Sequence, residues 1–436
     1  MAKHNTVFSV QSGGHSLNKG VSSTADGVVI SLSQFREISL DKVAGTVRIG
    51  SGNRWGHVYD TLAEHGYAVP GGRVGPVGVG GLSLGGGLSY FLYSHGFVCD
   101  SIVEYEVVTA GGRVLAVTAA SHPDLFVALK GSGAPFVLVT SFVFRLVEID
   151  RSGRAYGGAV RSDGSTVPAV LRAVADFNAP GGGVDDTASH VFALSTYGAV
   201  SMAAVHLFYR WPQAAPPPAL QGLVAAGSAA PLSSTLGNRT LTSIAGDVPA
   251  DDGFRQTVSS LTAVDPSADD LLRIDEIARE EVAAANLGPQ VIAMFVWVPC
   301  GPFAEGPNAR NVLGLVKAPP VEDGGPPQRR YMELGFGLGW TDPGQDAPVG
   351  RLASRVIKRS KEYLASVGHL SPFVYSSPLS SSARDHGLTG GQVHELRIAG
   401  ARPDRVVWRG ERGAHPPGAR RLRPGPAVGP ATARRV

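Results

Sequence analysis

The sequence has little of three features, each of which would define a class of protein. It contains two cysteines, Cys99 and Cys300, which are too few for a disulfide scaffold and lack the spacing of a metal site. Its formal net charge is +3 over 436 residues, and much of the basic excess lies near the C-terminus, so a nucleic-acid partner is not expected. No apolar run reaches the ~20 residues that a membrane-spanning helix needs. The first residues show no signal-peptide core, and the compartment is left unassigned.

Glycine, by contrast, is abundant. The chain has 57 glycines, and the excess lies in the first third, in doublets and triplets. Such clusters indicate loops in which the backbone passes close to another group. Apolar residues form 43% of the chain and charged residues 17%, a balance that predicts a globular protein with a large core. The length of 436 residues predicts two or three domains.

The hydrophobic pattern changes near residue 150, which predicts a domain boundary there. Within residues 1–150, short β-branched runs, a helix that begins near Trp55 and a hairpin over residues 102–118 predict a mixed α/β domain. The glycine-rich stretch 69–90 is predicted to be one long loop. Longer alternating strands and helices in residues 151–380 predict a second domain, α+β with an antiparallel sheet. The fold class expected for the whole chain is α+β.

Three shorter segments are predicted to lack regular structure. The stretch "QAAPPPALQG", residues 213–222, has the proline content of a surface loop. Residues 381–400 are predicted to be a degenerate closing segment. Residues 401–436 consist mainly of Arg, Pro, Gly and Ala without apolar periodicity, so they are predicted to be disordered.

Three glycine clusters are candidates for a ligand site. The cluster "IGSGNRWG" follows a predicted strand and opens a helix, as in a dinucleotide-binding fold, with Gly50 and Gly52 in the turn. Its third glycine is displaced to Gly56, and no acidic residue ends a second strand at the distance that a ribose contact needs. A nicotinamide dehydrogenase is therefore only a weak alternative.

The other two clusters, "SGGHS" and "VGPVGVGGLSLGGG", lie one predicted helix apart. Successive backbone N–H groups in such loops can point at one anion. Two such loops would suit a long anionic ligand, such as a dinucleotide with a pyrophosphate. Taken alone, His15 in the first cluster is more often a turn residue than a functional group.

The residues around these clusters resemble a known family. The stretches "VQSGGHSLNKGVSSTADGVVISLSQF", "GGRVGPVGVGGLSLGGGLSYFLYSHGFVCDSIVEYEVV" and "HPDLFVALKGSGAPFVLVTSF" are similar to the fungal FAD-linked oxidases. These form the berberine-bridge-enzyme-like group with a PCMH-type FAD-binding domain, also called oxygen-dependent FAD-linked oxidoreductases. The resemblance runs from Phe8 to about Leu146 and continues more loosely through the second domain.

The resemblance implies FAD as the cofactor and assigns residues to it. His15 stands where the family's histidine bonds covalently to a methyl group of the flavin ring, and Val74 stands where some relatives have a second, cysteinyl link, so a single link is expected. The two glycine loops "SGGHS" and "VGVGG" would hold the pyrophosphate, and Gly85 would let the next helix approach the cofactor. The positions assigned to FAD beside His15 are Ser12, Gly13, Gly14, Ser16, Val77, Gly78, Gly80, Gly81, Gly85 and Val139.

The resemblance also implies an activity, oxidation of a small organic molecule by two electrons with oxygen as acceptor. An alcohol, a sugar or a secondary-metabolite intermediate is the expected substrate, and Tyr375 is the first choice for a catalytic residue because it matches a substrate-side position. Asp346 is predicted to be a helix N-terminal residue rather than a base.

Several departures support an alternative, a truncated flavoprotein pseudoenzyme with weak or no FAD binding. The family's usual first strand and helix are expected to be missing, and Ala134 and Pro135 replace polar residues.

Overall fold

A computed structural model of the chain describes residues 6–17, 20–25, 27–133, 136–183, 189–198, 201–248, 253–301, 311–313 and 329–372. These residues belong to one compact unit. The predictions made for Ala134, Pro135, Tyr375, the closing segment and the C-terminal tail lie outside the described residues.

The first 150 residues form short strands and helices around a glycine-rich centre. Their strands are β1 (Phe8–Gln11), β2 (Val28–Ser31), β3 (Ile38–Asp41), β4 (Thr46–Gly50), β5 (Tyr67–Ala68), β6 (Ile102–Val108), β7 (Val114–Thr118), β8 (Leu138–Arg145) and β9 (Val147–Glu148). Their helices are α1 (Trp55–Ala63), α2 (Val79–Leu84), α3 (Leu92–His95) and α4 (Pro123–Ala128). The mixed composition predicted for this part is therefore confirmed.

Most of these strands form one antiparallel sheet with the order β3-β4-β8-β6-β7. The predicted hairpin is its β6–β7 pair, with Val108 opposite Val114. Helix α1 places Trp55 and Tyr59 in the core, where both are buried. Strands β1 and β2 form a separate parallel pair, and β5 pairs with β9.

The second part of the chain is built on a larger antiparallel sheet, as predicted. Its strands are β10 (Arg154–Asp163), β11 (Ser189–Tyr197), β12 (Met202–Tyr209), β13 (Pro231–Ser234), β14 (Gly237–Thr240), β15 (Arg255–Val264), β16 (Ile292–Gly301) and β17 (Tyr331–Trp340). Their order is β13-β10-β12-β11-β16-β17-β15, and β14 also pairs with β10. The helices are α5 (Val167–Asn178), α6 (Pro218–Gly227), α7 (Leu241–Ala245), α8 (Ala268–Ala285) and α9 (Asp346–Ser366).

The two faces of this sheet have different neighbours. Helices α5, α8 and α9 pack on one face, and Leu334 and Phe336 of β17 belong to the buried core there. On the other face, Phe208 stacks against Tyr90 with ring centroids 4.9 Å apart, and His190 contacts Tyr93. Because Tyr90 and Tyr93 follow the glycine loops in the chain, this second face meets those loops. It is called the open face below.

Two predictions of irregular structure were wrong. The stretch 69–90 contains helix α2, although three of the helix's first four positions are not strong helix formers. Tertiary contacts override the low propensity of glycine, because Gly80 packs its backbone against Ser12. The second error concerns residues 213–222, where the proline run is followed at once by α6, with Pro218 at its first turn. The prediction for Asp346 is confirmed, because α9 begins there and its carboxylate binds Arg255.

No helix among the described residues is both long and apolar enough to cross a membrane.

Candidate active site

The two glycine clusters "SGGHS" and "VGVGG" lie against each other, backbone to backbone. A Cβ atom added to Gly13 would come 2.4 Å from the backbone nitrogen of Gly78. A Cβ atom added to Gly78 would come 2.2 Å from the backbone nitrogen of Gly13. Only glycine fits at both positions, because contacts under about 3 Å do not occur between such atoms. The fold therefore brings together two loops that are about 65 residues apart in the sequence.

Ser12 connects the two loops with the end of β4. Its hydroxyl donates a hydrogen bond to the carbonyl oxygen of Ser51 at 2.6 Å. The same oxygen accepts a hydrogen bond from the backbone N–H of Gly80 at 3.1 Å. Ser51 in turn donates its N–H to Thr140 on β8 at 2.9 Å, so the antiparallel sheet supports the contact between the loops.

The contact region has polar groups without partners, as an anion site requires. No described residue accepts a hydrogen bond from the backbone N–H of Gly13, Gly14 or Gly78. The hydroxyls of Ser51 and Ser83 are buried nearby, and neither has a hydrogen-bond partner among the described residues. Gly78, Ser51 and Ser83 are buried, whereas Gly13 is half-buried and Gly14 is exposed. Buried polar groups are usually paired, so the groups of these three buried residues would be satisfied by a polar ligand. The donor set fits the pyrophosphate of FAD.

The remaining residues assigned to FAD fall into two groups. Gly14, His15 and Ser16 continue the first loop, where Gly14 has φ +72° and His15 and Ser16 are half-buried. Val77 precedes α2, and Gly81 lies exposed in it with no atom within 4 Å of an added Cβ. These residues are neighbours in the chain of the residues that make the loop contact.

Gly85 and Val139 lie farther away. Gly85 caps the C-terminal end of α2, and its N–H bonds to Gly81 O at 3.0 Å. The next glycine, Gly86, has φ +101°. The side chain of Leu313, from the second part of the chain, packs against Gly86, where a side chain would be in the way. Val139 is buried in β8 opposite Val107, one residue before the Thr140 that supports Ser51.

The cluster "IGSGNRWG" is not a dinucleotide-binding turn. Strand β4 is antiparallel to both of its neighbours, whereas that fold needs a parallel sheet. Gly50 and Gly52 are also closed off, because added Cβ atoms would lie 2.3 Å from Phe35 O and 2.0 Å from Leu32 O. These glycines permit the close approach of the Leu32–Phe35 loop and leave no space for a phosphate.

Arg73 extends from the second loop onto the open face of the large sheet. Its guanidinium carbon lies 4.8 Å from the ring centroid of Phe192, a cation–π contact. Its Nη1 lies 3.4 Å from Nε2 of His190. Burial and the charge of Arg73 hold the pKa of His190 well below its usual 6.5, so the imidazole is neutral at pH 7. Arg73 forms no ion pair with any described carboxylate.

The sequence analysis did not find Glu333, a carboxylate on the open face of β17. Its side chain is half-buried and makes no hydrogen bond with a described residue. Burial raises its pKa from 4.5 to about 7, while the charge of Arg73 acts in the opposite direction. A carboxyl group that titrates near neutral pH is suited to accept a proton from a substrate. The stretch "YMELGFGLGW" could have pointed to this carboxylate, because Glu333 is followed by glycines at alternate positions of a predicted strand.

Arg73 and Glu333 face each other across one strand. Val298 pairs with Glu333 in the sheet. Ala193 pairs with Trp297, so the antiparallel register places Phe192 opposite Val298. The guanidinium group of Arg73 lies over the ring of this Phe192. Strands in a sheet are about 4.8 Å apart, so the backbones of Phe192 and Glu333 are separated by roughly 10 Å. The site therefore has a cation and an acid on opposite sides of a narrow apolar floor.

The comparisons with known proteins identify the family of the chain. The FAD binding domain family matches residues 1–118. The FAD-dependent monooxygenase sdcF of Emericella nidulans is 30% identical over 380 residues, covering 84% of this chain and 75% of the relative. The chain belongs to the family of FAD-linked oxidoreductases. An uncharacterized FAD-linked oxidoreductase of Arthroderma benhamiae is 38% identical over 172 residues, covering 39% of this chain and 34% of that protein.

The fold of this oxidoreductase is also found among solved structures. The crystal structure of 6-hydroxy-D-nicotine oxidase from Arthrobacter nicotinovorans has a TM-score of 0.68 at 19% identity, covering 92% of this chain and 82% of that one. At this identity the likeness concerns the fold. In the first curated relatives, the match spans about a third of their length, namely 34%, 37% and 29%.

Proposed function

We propose that this FAD-linked oxidoreductase is an oxidase that removes two electrons from a hydroxyl-bearing organic molecule. The observation that carries the proposal is the contact between Gly13 and Gly78, which leaves unpartnered backbone N–H groups at the place where a pyrophosphate would bind. FAD would be held by these two loops, with His15 as its single covalent tether. Bound FAD would supply the acceptor for a hydride from the substrate, and oxygen would take up the two electrons as peroxide.

Glu333 would act as the general base in this reaction. Oxidation of an alcohol to a carbonyl removes a proton from the hydroxyl group and a hydride from the carbon. Glu333 would take the proton onto its carboxylate, which is half-buried and unpartnered among the described side chains. Arg73 would keep part of this carboxyl ionised at pH 7, because its charge opposes the effect of burial. These roles stand beside the prediction for Tyr375, which stays a prediction.

The tether at His15 can be tested by the absorption of the purified protein. His15 would hold the flavin through one imidazole nitrogen, which would give up its proton, and oxygen would take up the two electrons released when the bond forms. We expect a visible flavin band that stays with the protein after acid precipitation. In His15→Ala the band should pass into the supernatant, while the circular dichroism spectrum stays unchanged, because His15 lies in a glycine-built loop outside the core.

The outcomes of this measurement separate the candidate functions. Flavin retained by His15→Ala in acid would place the tether elsewhere. A wild-type protein that is colourless, even after incubation with FAD, would contradict the oxidase and favour the pseudoenzyme. Flavin that binds reversibly, without a covalent bond, would support FAD as the cofactor and contradict the proposed bond to His15.

The electrostatic role of Arg73 predicts a shift in the pH profile. Its charge lowers the pKa of Glu333, so Arg73→Leu should move the midpoint of the flavin-reduction rate from about 7 to higher pH. Arg73→Lys is the matched control, because it keeps the charge and should leave the midpoint within about half a pH unit of the wild-type value. Equal midpoints in Arg73→Leu and the wild type would contradict the coupling between the two groups.

A further inference from the structure

Arg54 lies directly before helix α1 and runs alongside the second glycine loop. Its backbone and that of Gly78 form an antiparallel β-bridge. Next to this bridge, the backbone N–H of Trp55 donates a hydrogen bond to the carbonyl oxygen of Val77 at 3.0 Å. The start of α1 is therefore fixed along the loop, with Arg54 opposite Gly78.

The side chain of Arg54 reaches the first loop as well. Opposite residues of an antiparallel pair project to the same side, so Arg54 projects to the side on which an added Cβ at Gly78 would meet Gly13. Its Nη1 donates to the carbonyl oxygen of Pro76, directly before the second loop, at 2.6 Å. Its Nη2 lies 3.5 Å from the carbonyl oxygen of Gly13, a long hydrogen bond. One guanidinium group therefore spans the contact between the two loops.

Arg54 brings a positive charge that the loops themselves lack. The stretches "SGGHS" and "VGVGG" contain neither lysine nor arginine. Arg54 is exposed, and it forms no ion pair with a carboxylate of the described residues. A guanidinium group has five N–H donors, so the two carbonyl contacts leave others for a further acceptor. Charge and donors are thus available where the two loops meet.

The stability of the helix does not account for an arginine at this position. Arg54 is the N-cap residue of α1, where Ser, Thr, Asp and Asn are preferred because their side chains accept hydrogen bonds from the first N–H groups. The side chain of Arg54 makes no such bond, and its charge lies at the positive end of the helix dipole. The first turn of α1 has no acidic residue that would offset this repulsion. Residues that depart from the local preference are expected at functional sites.

A pyrophosphate group would suit this arrangement. Each of its phosphates carries a negative charge at neutral pH, and backbone N–H groups are neutral donors that do not cancel this charge. Arginine often binds phosphate oxygens through two parallel N–H groups, which adds both charge and geometric specificity. An anion beside Arg54 would also relieve the repulsion between the guanidinium group and the N-terminal end of α1.

We propose that Arg54 binds the pyrophosphate of FAD and neutralises part of its charge where the two glycine loops meet. This role rests on the proposed function, because FAD must lie in these loops. Arg54 binds and positions the cofactor and takes no part in proton transfer. The cofactor site then combines the neutral backbone donors of Gly13 and Gly78 with one cation.

The affinities for two flavins separate a charge contact from a structural one. His15→Ala provides the background, because flavin without the proposed covalent bond binds reversibly and its affinity can be measured by fluorescence quenching. FAD contains the pyrophosphate, whereas riboflavin lacks it. In this background Arg54→Gln should bind FAD at least about tenfold more weakly, and riboflavin with an affinity within about twofold of the parent. Equal losses for the two flavins would show that Arg54 only holds the loops together, and would overturn the inference.

Two further variants in the same background are controls for charge. Arg54→Lys keeps the charge without the planar fork, so it should bind FAD at least about threefold more tightly than Arg54→Gln. Arg351→Gln removes an exposed arginine from α9, which packs on the other face of the large sheet from the loops. Its affinity for FAD should equal that of the parent. A loss as large as that of Arg54→Gln would attribute the effect to net charge alone and overturn the inference.

Inorganic pyrophosphate tests the same contact without flavin. A ligand that binds the folded protein raises its melting temperature. Millimolar pyrophosphate should raise that of the flavin-free protein, and Arg54→Gln should lose most of this rise. An equal rise in both proteins, or no rise in either, would overturn the inference. A wild-type protein that never holds FAD would instead contradict the proposed function, and the pyrophosphate measurement would still test Arg54.

Discussion

The variant Glu333→Gln should reduce the rate of flavin reduction by about 10²- to 10⁴-fold, the usual contribution of a positioned general base. Glutamine has nearly the same shape but accepts no proton. In the wild type the rate should rise with pH through about 7, where the carboxyl group loses its proton. The residual rate of the variant should show no such rise. Rapid-mixing measurements without oxygen, from pH 5 to 9, would follow the flavin band.

The stability of the same variant provides the control for folding. Burial raises the pKa of Glu333 in the folded protein to about 7, above its unfolded value of 4.5, so its contribution to stability falls as pH rises between these values. At pH 8 the ionised group opposes folding by up to roughly 3 kcal/mol. Glu333→Gln should therefore melt no lower than the wild type at pH 8. A variant that melts normally and keeps its rate would show that another group is the base.

The variant Gly78→Ala should lose FAD. The new methyl carbon would lie 2.2 Å from the Gly13 nitrogen and 2.6 Å from the Ser12 hydroxyl, so the two loops must separate. Overpacking of this kind costs about 1–3 kcal/mol. Each 1.4 kcal/mol is about a tenfold loss of affinity, so FAD should bind about 5- to 100-fold more weakly before the bond to His15 forms, and the flavin content of the purified protein should fall. The ratio of visible to ultraviolet absorbance of the purified protein measures this content.

A helix glycine with free space provides the comparison for this substitution. Gly222→Ala adds the same methyl group in α6, where no atom lies within 4 Å. Its flavin content should equal that of the wild type, and its melting temperature should not fall, because alanine favours helix more than glycine does. If Gly78→Ala also kept full flavin content, the contact between the loops would have no part in holding FAD.

Local patterns allowed much of the fold to be predicted. The β6–β7 hairpin and helix α8 depend on the alternation and periodicity of neighbouring residues, which the sequence displays directly. Helix α2 could not be found in this way, because its glycines have low helix propensity and its stability comes from packing against the Ser12 loop. The order of the strands in the large sheet also depends on contacts between distant segments, about which local patterns carry no information.

The same limit applies to the candidate site. The glycine loops were found because their composition is unusual and resembles a family, and their contact at Gly13 and Gly78 follows from the structure. Glu333 was missed because an acid at an alternate position of a strand is also typical of a solvent-facing residue. The position of Glu333 near a cation becomes visible only in the sheet register. There Val298 separates Glu333 from Phe192, whose ring contacts the guanidinium group of Arg73.

The contact between Gly13 and Gly78 also affects how this protein can diversify. The cofactor loops meet through backbone atoms. Any side chain at Gly13 or Gly78 would collide with the facing backbone, whether the side chain is polar or apolar. Met294 and Val296 lie on β16, opposite Gly337 and Gly335 of β17, and have no part in that contact. A mutational library confined to these two positions and Val258 should change the range of accepted alcohols while every member retains its flavin. Recruitment of a new substrate would then need no compensating change in the cofactor loops.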